Sequence, residues 1–528
     1  MKQKLTLLIL ILVSLTINAQ NPYLPLWEYI PDGEPYVFED PDNPGQYRVY
    51  IYGSHDSRKT DYCGLEQVVW SASVNDLASW RYDGVIFTSE KDAEGNLLRP
   101  DASGDILFAP DVANCMENGK MAYFFYPNNQ SRGRQSMVAR SQRPNGPFEV
   151  INWSKTDAKR TEGVLTFDPA VFVDDDGRVY GYWGFEKSFA AEIDPKTMAT
   201  VKEGTEIVSD LVSNYKQDGV FNFYEASSMR KIKDKYVFIY SRYTEDGEFG
   251  MPASNYTLAY AYGNNPLGPF TYGGTLIDCR GRDTDLSGNP LPTATCTGNT
   301  HGSIVEINGQ WFVFYHRQTG LDEYSRQAMV SPIDVKVIEG PDGKVEICEG
   351  EYTSEGFATE GLNPYKKYSA GIACYYTGPT PSHQEYPRMI YTGSYIQNTY
   401  NKPAEGQDSY SCDTQNNPMV NNVDGSVFGY KYFNMNLLKK GKSKLELELI
   451  PQGIDGTITI MMDSPFTEKG GKVLGTIQVK TSDAQQLAKY SSALKGLSKV
   501  SGKHSIFFKF SSAEKEKSIC TLQTICFR

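Results

Sequence analysis

Four carboxylic acids and one histidine recur at matching places along the N-terminal part of the chain: Asp32 in PDGEPYVF, Asp111 in FAPDV, Asp168 in FDPAVFV, Glu225 in FYEASSM and His301 in THGSIVEI. Each precedes by 14 to 20 residues a tyrosine (Tyr52, Tyr126, Tyr182, Tyr240, Tyr315) inside a strand pattern of aromatic and aliphatic residues. A carboxylate at the mouth of such strands costs desolvation unless it is hydrogen-bonded or serves a site. Each residue alone has a plainer explanation. Asp32 before Gly33 fits a turn, Asp168 before Pro169 a strand start, Glu225 a surface pair with Arg230, and the Pro-Asp at Asp111, the weakest candidate for chemistry, a turn or cap. In common register they point to one site. Two or three carboxylates together suit glycosidic bond cleavage, in which one carboxylic acid protonates the leaving oxygen while a carboxylate activates water or attacks carbon. A third acid nearby raises the proton donor's pKa by like-charge repulsion and can hold it in place. The sequence has no P-loop, no GxGxxG and no Ser-His-Asp order to suggest other chemistry.

The elements that must position these residues are repeats. GQYRVYIYGS, NGKMAYFFYP, DDGRVYGYWG, KDKYVFIYSR and NGQWFVFYHR are strand patterns introduced by Gly, Asn or Asp turns and separated by roughly 55 to 75 residues, the period of a four-stranded propeller blade with long loops. ARSQRPNGPF and AYGNNPLGPF share a further blade segment. In a propeller the first strand of every blade is innermost, so the five ionisable residues would converge on the axis. The composition agrees: 36 Tyr, 25 Phe, 47 Gly and 28 Pro favour strands and tight turns over helices. A net charge of -12 disfavours nucleic acid, whereas a neutral sugar feels little of that field and stacks well on aromatic rings.

PDGEPYVF, YGSHD, FAPDV, FDPAVFVDDDGRVYGYWG, FYEASSM, GPF and HGSIVEINGQWFVFYHRQ, in that order over roughly residues 22 to 345, resemble family-43 glycoside hydrolases. The resemblance implies a five-bladed β-propeller that hydrolyses arabinofuranosides and xylosides with inversion. It implies Asp32 as general base, Asp168 as the acid that tunes pKa and orients, and Glu225 as general acid. Where many relatives have Asp-Pro at the base, this chain has Asp32-Gly33-Glu34-Pro35, so Glu34 is a rival for that role. His301 matches an axial histidine beside a structural calcium or other cation in the central channel, usually with water completing the shell, although calcium wants six to eight oxygens and the chemistry requires no cofactor. Arg326 matches a substrate-contacting arginine. Phe108, Phe167 and Trp183 are expected to wall the sugar pocket. Sialidases are disfavoured, since their arginine triad and repeated Asp-boxes are not written here.

Lys2 and Lys4 followed by an apolar run and a small-residue site at Ala19 read as a secretory signal peptide, so the protein is expected to be exported, periplasmic or extracellular, with no membrane span. Nine cysteines are thinly spread; Cys520 and Cys526 are a possible local pair, and burial as apolar residues is the alternative. The expected division is a leader over 1–19, a propeller over 20–345, a connector over 346–380 and a β-sandwich (jelly-roll) over 381–528, an all-β chain throughout. KSKLELELIP, GTITIMMD, KVLGTIQVK and KHSIFFKFSS supply the sandwich alternation, and the stretch resembles carbohydrate-binding modules of family 6. The expected function is a monomeric, inverting glycoside hydrolase releasing terminal pentose, α-L-arabinofuranosyl foremost, from plant cell-wall polysaccharide. The alternatives are β-xylosidase or exo-β-galactosidase action on the same fold, or a non-catalytic glycan-binding propeller.

Overall fold

Tyrosine-rich strands of the five repeats pair with their sequence neighbours as antiparallel sheets, which a computed structural model describes over residues 20–58, 60–398, 417–439 and 443–528. The expected leader at 1–19 and Cys412 lie outside the described residues. Blade I comprises Glu34–Glu39, Tyr47–Tyr52, Glu66–Ser73 and Asp76–Thr88, and blade II Asp111–Glu117, Lys120–Tyr126, Ala139–Ser141 and Glu149–Val150. Blade III comprises Ala170–Val173, Val179–Trp183, Phe189–Ile193 and Val208–Ser209, and blade IV Phe223–Ile232, Lys235–Thr244, Ser254–Gly263 and Thr271–Asp278. Blade V has Ile304–Ile307, Gln310–Gln318 and Arg326–Ile333. A parallel bridge between Gly33 and Gly302 joins the inner strands of blades I and V and closes the ring. The outer edge of blade V is covered by the chain that precedes blade I. The Asn21 side chain donates to Val330 O (2.6 Å) and accepts from Val330 N (3.0 Å), imitating the strand that the edge lacks.

The C-terminal part packs two sheets face to face. One contains Tyr395–Ile396, Met419–Val420, Cys520–Phe527, Lys444–Pro451 and Ala488–Ala493; the other contains Tyr375–Thr377, Val427–Asn434, Lys503–Ser511, Gly456–Met462 and Lys472–Val479. Strand pairing starts the sandwich earlier than the sequence pattern, at Tyr368–Ser369, which pairs with Ile525 and Thr524. Strands of two and three residues carry too little alternation to be read. Cys520 and Cys526 are both free and lie six residues apart on one strand, so their Cα atoms are about 20 Å apart, beyond any disulfide.

The two domains share a core. A single cluster of buried side chains runs from Leu258 and Leu276 of blade IV and Val313 and Met329 of blade V, through Tyr352 and Leu362, to Ile372, Leu447 and Phe508 of the sandwich. A sandwich hairpin, His383–Glu385 with Arg388–Ile390, lies on the blade V loop: Met389 N donates to Leu321 O at 2.9 Å and Gln384 bonds Glu323. The C-terminal domain therefore buttresses the loop that ends in Arg326. Among the described residues no helix is long and apolar enough to cross a membrane.

Candidate active site

Because the first and second strands of a blade are antiparallel, the start of one lies beside the end of the other. The ends of the second strands thus reach the same mouth as the expected carboxylates. There, Asp32, Asp168, Glu225, His301 and Arg326 line a pocket of about 200 Å3 together with Tyr62, Cys63, Phe108, Ala109, Gln130, Phe167, Asn299 and Thr300. Each of the three pocket carboxylates sits at a left-handed backbone residue: Asp32 has φ 59°, Asp168 has φ 43°, and Ala226, directly after Glu225, has φ 66°. Non-glycine residues enter this region at a cost of order 1–3 kcal/mol, sustained only where the surroundings over-determine it. At Glu225 the cause is a β-bulge: the register jumps between the Glu225–Ser241 and Ser228–Ile239 pairs, re-aiming the Glu225 side chain into the pocket.

Asp32 is held by three residues. Ser54 Oγ donates to its Oδ2 at 2.6 Å, Arg326 Nη1 lies 3.2 Å from its Oδ1, and its own N–H donates to His316 Nδ1 at 3.2 Å. His316 Nε2 donates to Asn299 O at 2.9 Å, so the ring is the neutral Nε2–H tautomer. Burial drives its pKa down to about 3, with Arg326 adding to the effect. Burial pushes Asp32 up, but the Arg326 guanidinium, His301 and the Ser54 hydroxyl outweigh it, and the carboxyl lies below its ordinary value. Arg326 is itself gripped by Asp56, through Nε at 2.9 Å and Nη2 at 2.8 Å, and lies 5.0 Å from the Tyr62 ring. Its donors are thus directed mainly to Asp32 and Asp56.

Asp168 accepts from Asn128 Nδ2 at 2.7 Å and from the Ala226 N–H at 3.2 Å. Burial, opposed by His301 and reinforced by the charge of Asp32, raises it to about 6. Glu225 has no hydrogen-bond partner among the described residues, and burial together with the charges of Asp168 and Asp32 pushes it well above the ordinary carboxylate range. One pocket thus contains a carboxylate biased towards ionisation and another biased towards protonation, the division of labour that acid–base chemistry needs.

Glu34 lies off this mouth. It is fully buried, 2.8 Å from Arg230 Nη2 and 3.1 Å from Ser228 Oγ. Asp111 lies on the same deeper layer, for it faces Tyr126 as Glu34 faces Tyr52, two residues further along its strand than Asp32 and Asp168 are on theirs. It accepts from Tyr36 Oη at 2.6 Å and from Val171 N at 2.7 Å, and burial with the charge of Glu34 raises it to about 7. At the mouth, blade II contributes Ala109. The expected equivalence of all five positions therefore fails for Asp111. Trp183 also departs from expectation: it is buried between blades II and III, stacked on Phe189 at 5.7 Å, and does not wall the pocket. Phe108 and Phe167 do.

His301 lies 3.6 Å from Glu34 Oε1 and 3.9 Å from Asp168 Oδ2, with both ring nitrogens and Glu34 Oε1 short of a hydrogen bond. Burial alone would lower its pKa, but Glu34, Asp168 and Asp32 raise it to about 9. Two carboxylates, one already paired with Arg230, fall well short of a calcium shell, and among the described residues no group of three or more His, Cys, Asp and Glu is placed to hold a metal. The side chains around His301 do not fit a calcium ion held by protein oxygens.

Sequence reasoning missed Ser54, Asn128 and His316. The signal was present, since each follows its blade's anchor tyrosine by one or two residues, at the end of the second strand.

A five-bladed propeller that gathers three carboxylates of divided acidity in one small pocket defines a glycoside hydrolase. The chain belongs to glycosyl hydrolases family 43, whose sequence profile matches residues 36–337. It is 34% identical over 443 residues to a xylosidase/arabinosidase of Thermoclostridium stercorarium, a match covering 80% of this chain and 85% of that protein. It is 26% identical to an arabinoxylan arabinofuranohydrolase of Bacillus subtilis (strain 168), over 88% of this chain and 85% of that one. A solved structure of a family-43 arabinoxylan arabinofuranohydrolase from Bacillus subtilis, in complex with cellotetraose, aligns over 97% of each chain at 20% identity and a TM-score of 0.43.

Proposed function

We propose that the protein is an exported, inverting glycosidase that removes terminal pentosyl groups, α-L-arabinofuranosyl foremost, from arabinoxylan-type plant polysaccharides. The divided acidity of the pocket carries this reading. Asp32, kept anionic by Arg326 and Ser54, takes the proton of a water that attacks the anomeric carbon. Glu225, kept protonated by burial and by Asp168, donates its proton to the departing glycosidic oxygen. Asp168 is oriented by Asn128 and the Ala226 N–H, so it fixes the bulge that aims Glu225 as well as its proton affinity. A pocket of about 200 Å3, below the roughly 300–1,000 Å3 of drug-sized sites, suits one sugar ring and hence terminal release.

The names of the two relatives support pentosyl substrates, and the first favours a second reading, β-xylosidase action by the same groups. The sandwich is proposed to contact glycan on the strength of its sequence likeness to family-6 modules, in addition to bracing the propeller. Incubation with aryl pentosides and arabinoxylan, with the released anomer followed by NMR, tests the assignment. Inverted arabinose is expected; retained configuration or no release from any pentoside would overturn it. Glu225→Gln is expected to lower kcat by about 10²- to 10⁴-fold, and less on aryl glycosides with good leaving groups, which need little protonation.

A further inference from the structure

Five aromatic side chains run outward from the pocket towards the junction of blades III and IV. Phe167, which lines the pocket, lies 5.1 Å from Phe185; Phe185 lies 5.3 Å from Tyr224; and Tyr224 meets Tyr215 at 5.6 Å and Tyr243 at 5.9 Å. Phe185 is 46% exposed, and Phe167 and the three tyrosines are half-buried. The cluster is held in place rather than loose. Tyr215 Oη donates to Glu186 Oε1 at 2.6 Å, Lys216 also pairs with Glu186, and Glu186 N donates to Tyr224 O at 2.7 Å.

Its position in the ring is informative. Phe167 and Phe185 flank blade III, while Tyr215, Tyr224 and Tyr243 belong to the passage into blade IV and to that blade. In a ring of five, the junction of blades III and IV lies opposite blade I, whose entry carries Asp32. Tyr224 immediately precedes Glu225. In an inverting displacement water arrives from the base side and the leaving group departs on the acid side. The aromatic surface therefore lies where the departing part of the substrate must lie.

We propose that Phe185, Tyr215, Tyr224 and Tyr243 form the subsite that receives the leaving-group portion of the substrate, the neutral pyranose backbone of the polysaccharide. Pyranose rings present C–H faces to aromatic rings, and an uncharged backbone suits a surface on which the Lys216 cation is already paired with Glu186. The subsite would select polymer over free pentoside without touching the sugar that is released. The inference rests on the assignment of Glu225 as the acid.

The test is Phe185→Ala, at an exposed position outside the catalytic trio, with Phe185→Trp beside it. On arabinoxylan kcat/KM is expected to fall about 2- to 10-fold, the range of one aromatic contact, while a small-aglycone pentoside such as methyl arabinofuranoside is hydrolysed at the wild-type rate; Trp is expected to restore the polymer rate. Equal loss on both substrates, or no loss on the polymer, overturns the subsite. A second measurement separates this from failure of the glycosidase reading. In a Glu225→Gln background, calorimetry with an unsubstituted xylo-oligosaccharide should show weaker binding when Phe185 is Ala, whether or not the wild-type enzyme cleaves arabinoxylan. Unchanged binding there also overturns the proposal.

Discussion

Arg326 reaches Asp32 with one nitrogen, Nη1 at 3.2 Å, while Asp56 grips the opposite edge of the guanidinium through Nε and Nη2. One buried cation thus serves two buried carboxylates from different parts of blade I and keeps Asp32, the proposed base, ionised.

Arg326→Met is accordingly expected to act on both stability and pH dependence. It leaves two buried carboxylates without their cation, a loss of about 3–5 kcal/mol, read as a lower midpoint in urea or thermal unfolding. Removing a cation raises a carboxyl pKa, so Asp32 would ionise at higher pH. Since the base must be anionic, the acidic limb of the kcat/KM profile should move upward. Arg326→Lys, which retains charge but not the two-pronged grip, should fall between wild type and Met on both measures.

Asp168→Asn should displace the opposite limb. The charge of Asp168 is, after burial, the largest cause of the raised Glu225 pKa. Without it Glu225 loses its proton at lower pH, and the basic limb should shift downward by about one unit or more. kcat should fall as well, because an amide can accept from Asn128 or from the Ala226 N–H but cannot offer an oxygen to both. An unmoved basic limb would show that another group sets it.

The repeats and the mouth residues were legible because period and chemistry coincide: an anchor tyrosine in each blade, and Asp32, Asp168, Glu225 and His301 from 14 to 20 residues before it. Asp111 misled because a two-residue displacement along a strand looks trivial in sequence yet moves a side chain one layer down the axis. Trp183 misled because every residue of Val179–Trp183 is buried, so the usual alternation of inner and outer faces is absent. The grip of Asp56 on Arg326 joins residues 270 apart, a pairing only the closed ring creates. The bulge at Glu225 has no sequence signature, since Ala226 is an ordinary residue in an uncommon conformation.

The shared core predicts that propeller and sandwich unfold together. Calorimetry should show one transition, and a chain ending near residue 350 should be insoluble, since it would expose Leu258, Leu276, Val313 and Met329 along the cut. The sandwich hairpin also bonds Glu323, which accepts from pocket-lining Tyr62. Glu323→Ala should therefore raise KM more than it lowers kcat, because it frees Tyr62 while leaving the three carboxylates in place.

Ala226 offers the sharpest test of the bulge. Its φ of 66° strains any residue with a Cβ, while its N–H supports Asp168. Ala226→Gly removes the strain, of about 1–2 kcal/mol, at an unfolded-state cost of about 0.4–1 kcal/mol, so stability should stay level or rise slightly and activity should persist. Ala226→Pro cannot adopt a positive φ and has no N–H, so it should abolish the Asp168 contact and the aim of Glu225 together. Ala226→Val adds β-branching to the strained position and should destabilise the protein by more than 1 kcal/mol. Gly above Ala in stability, with Val below both, would establish that the bulge is held against the preference of its own backbone; Val matching Ala would mean that the left-handed turn at Glu225 is not the state the protein occupies.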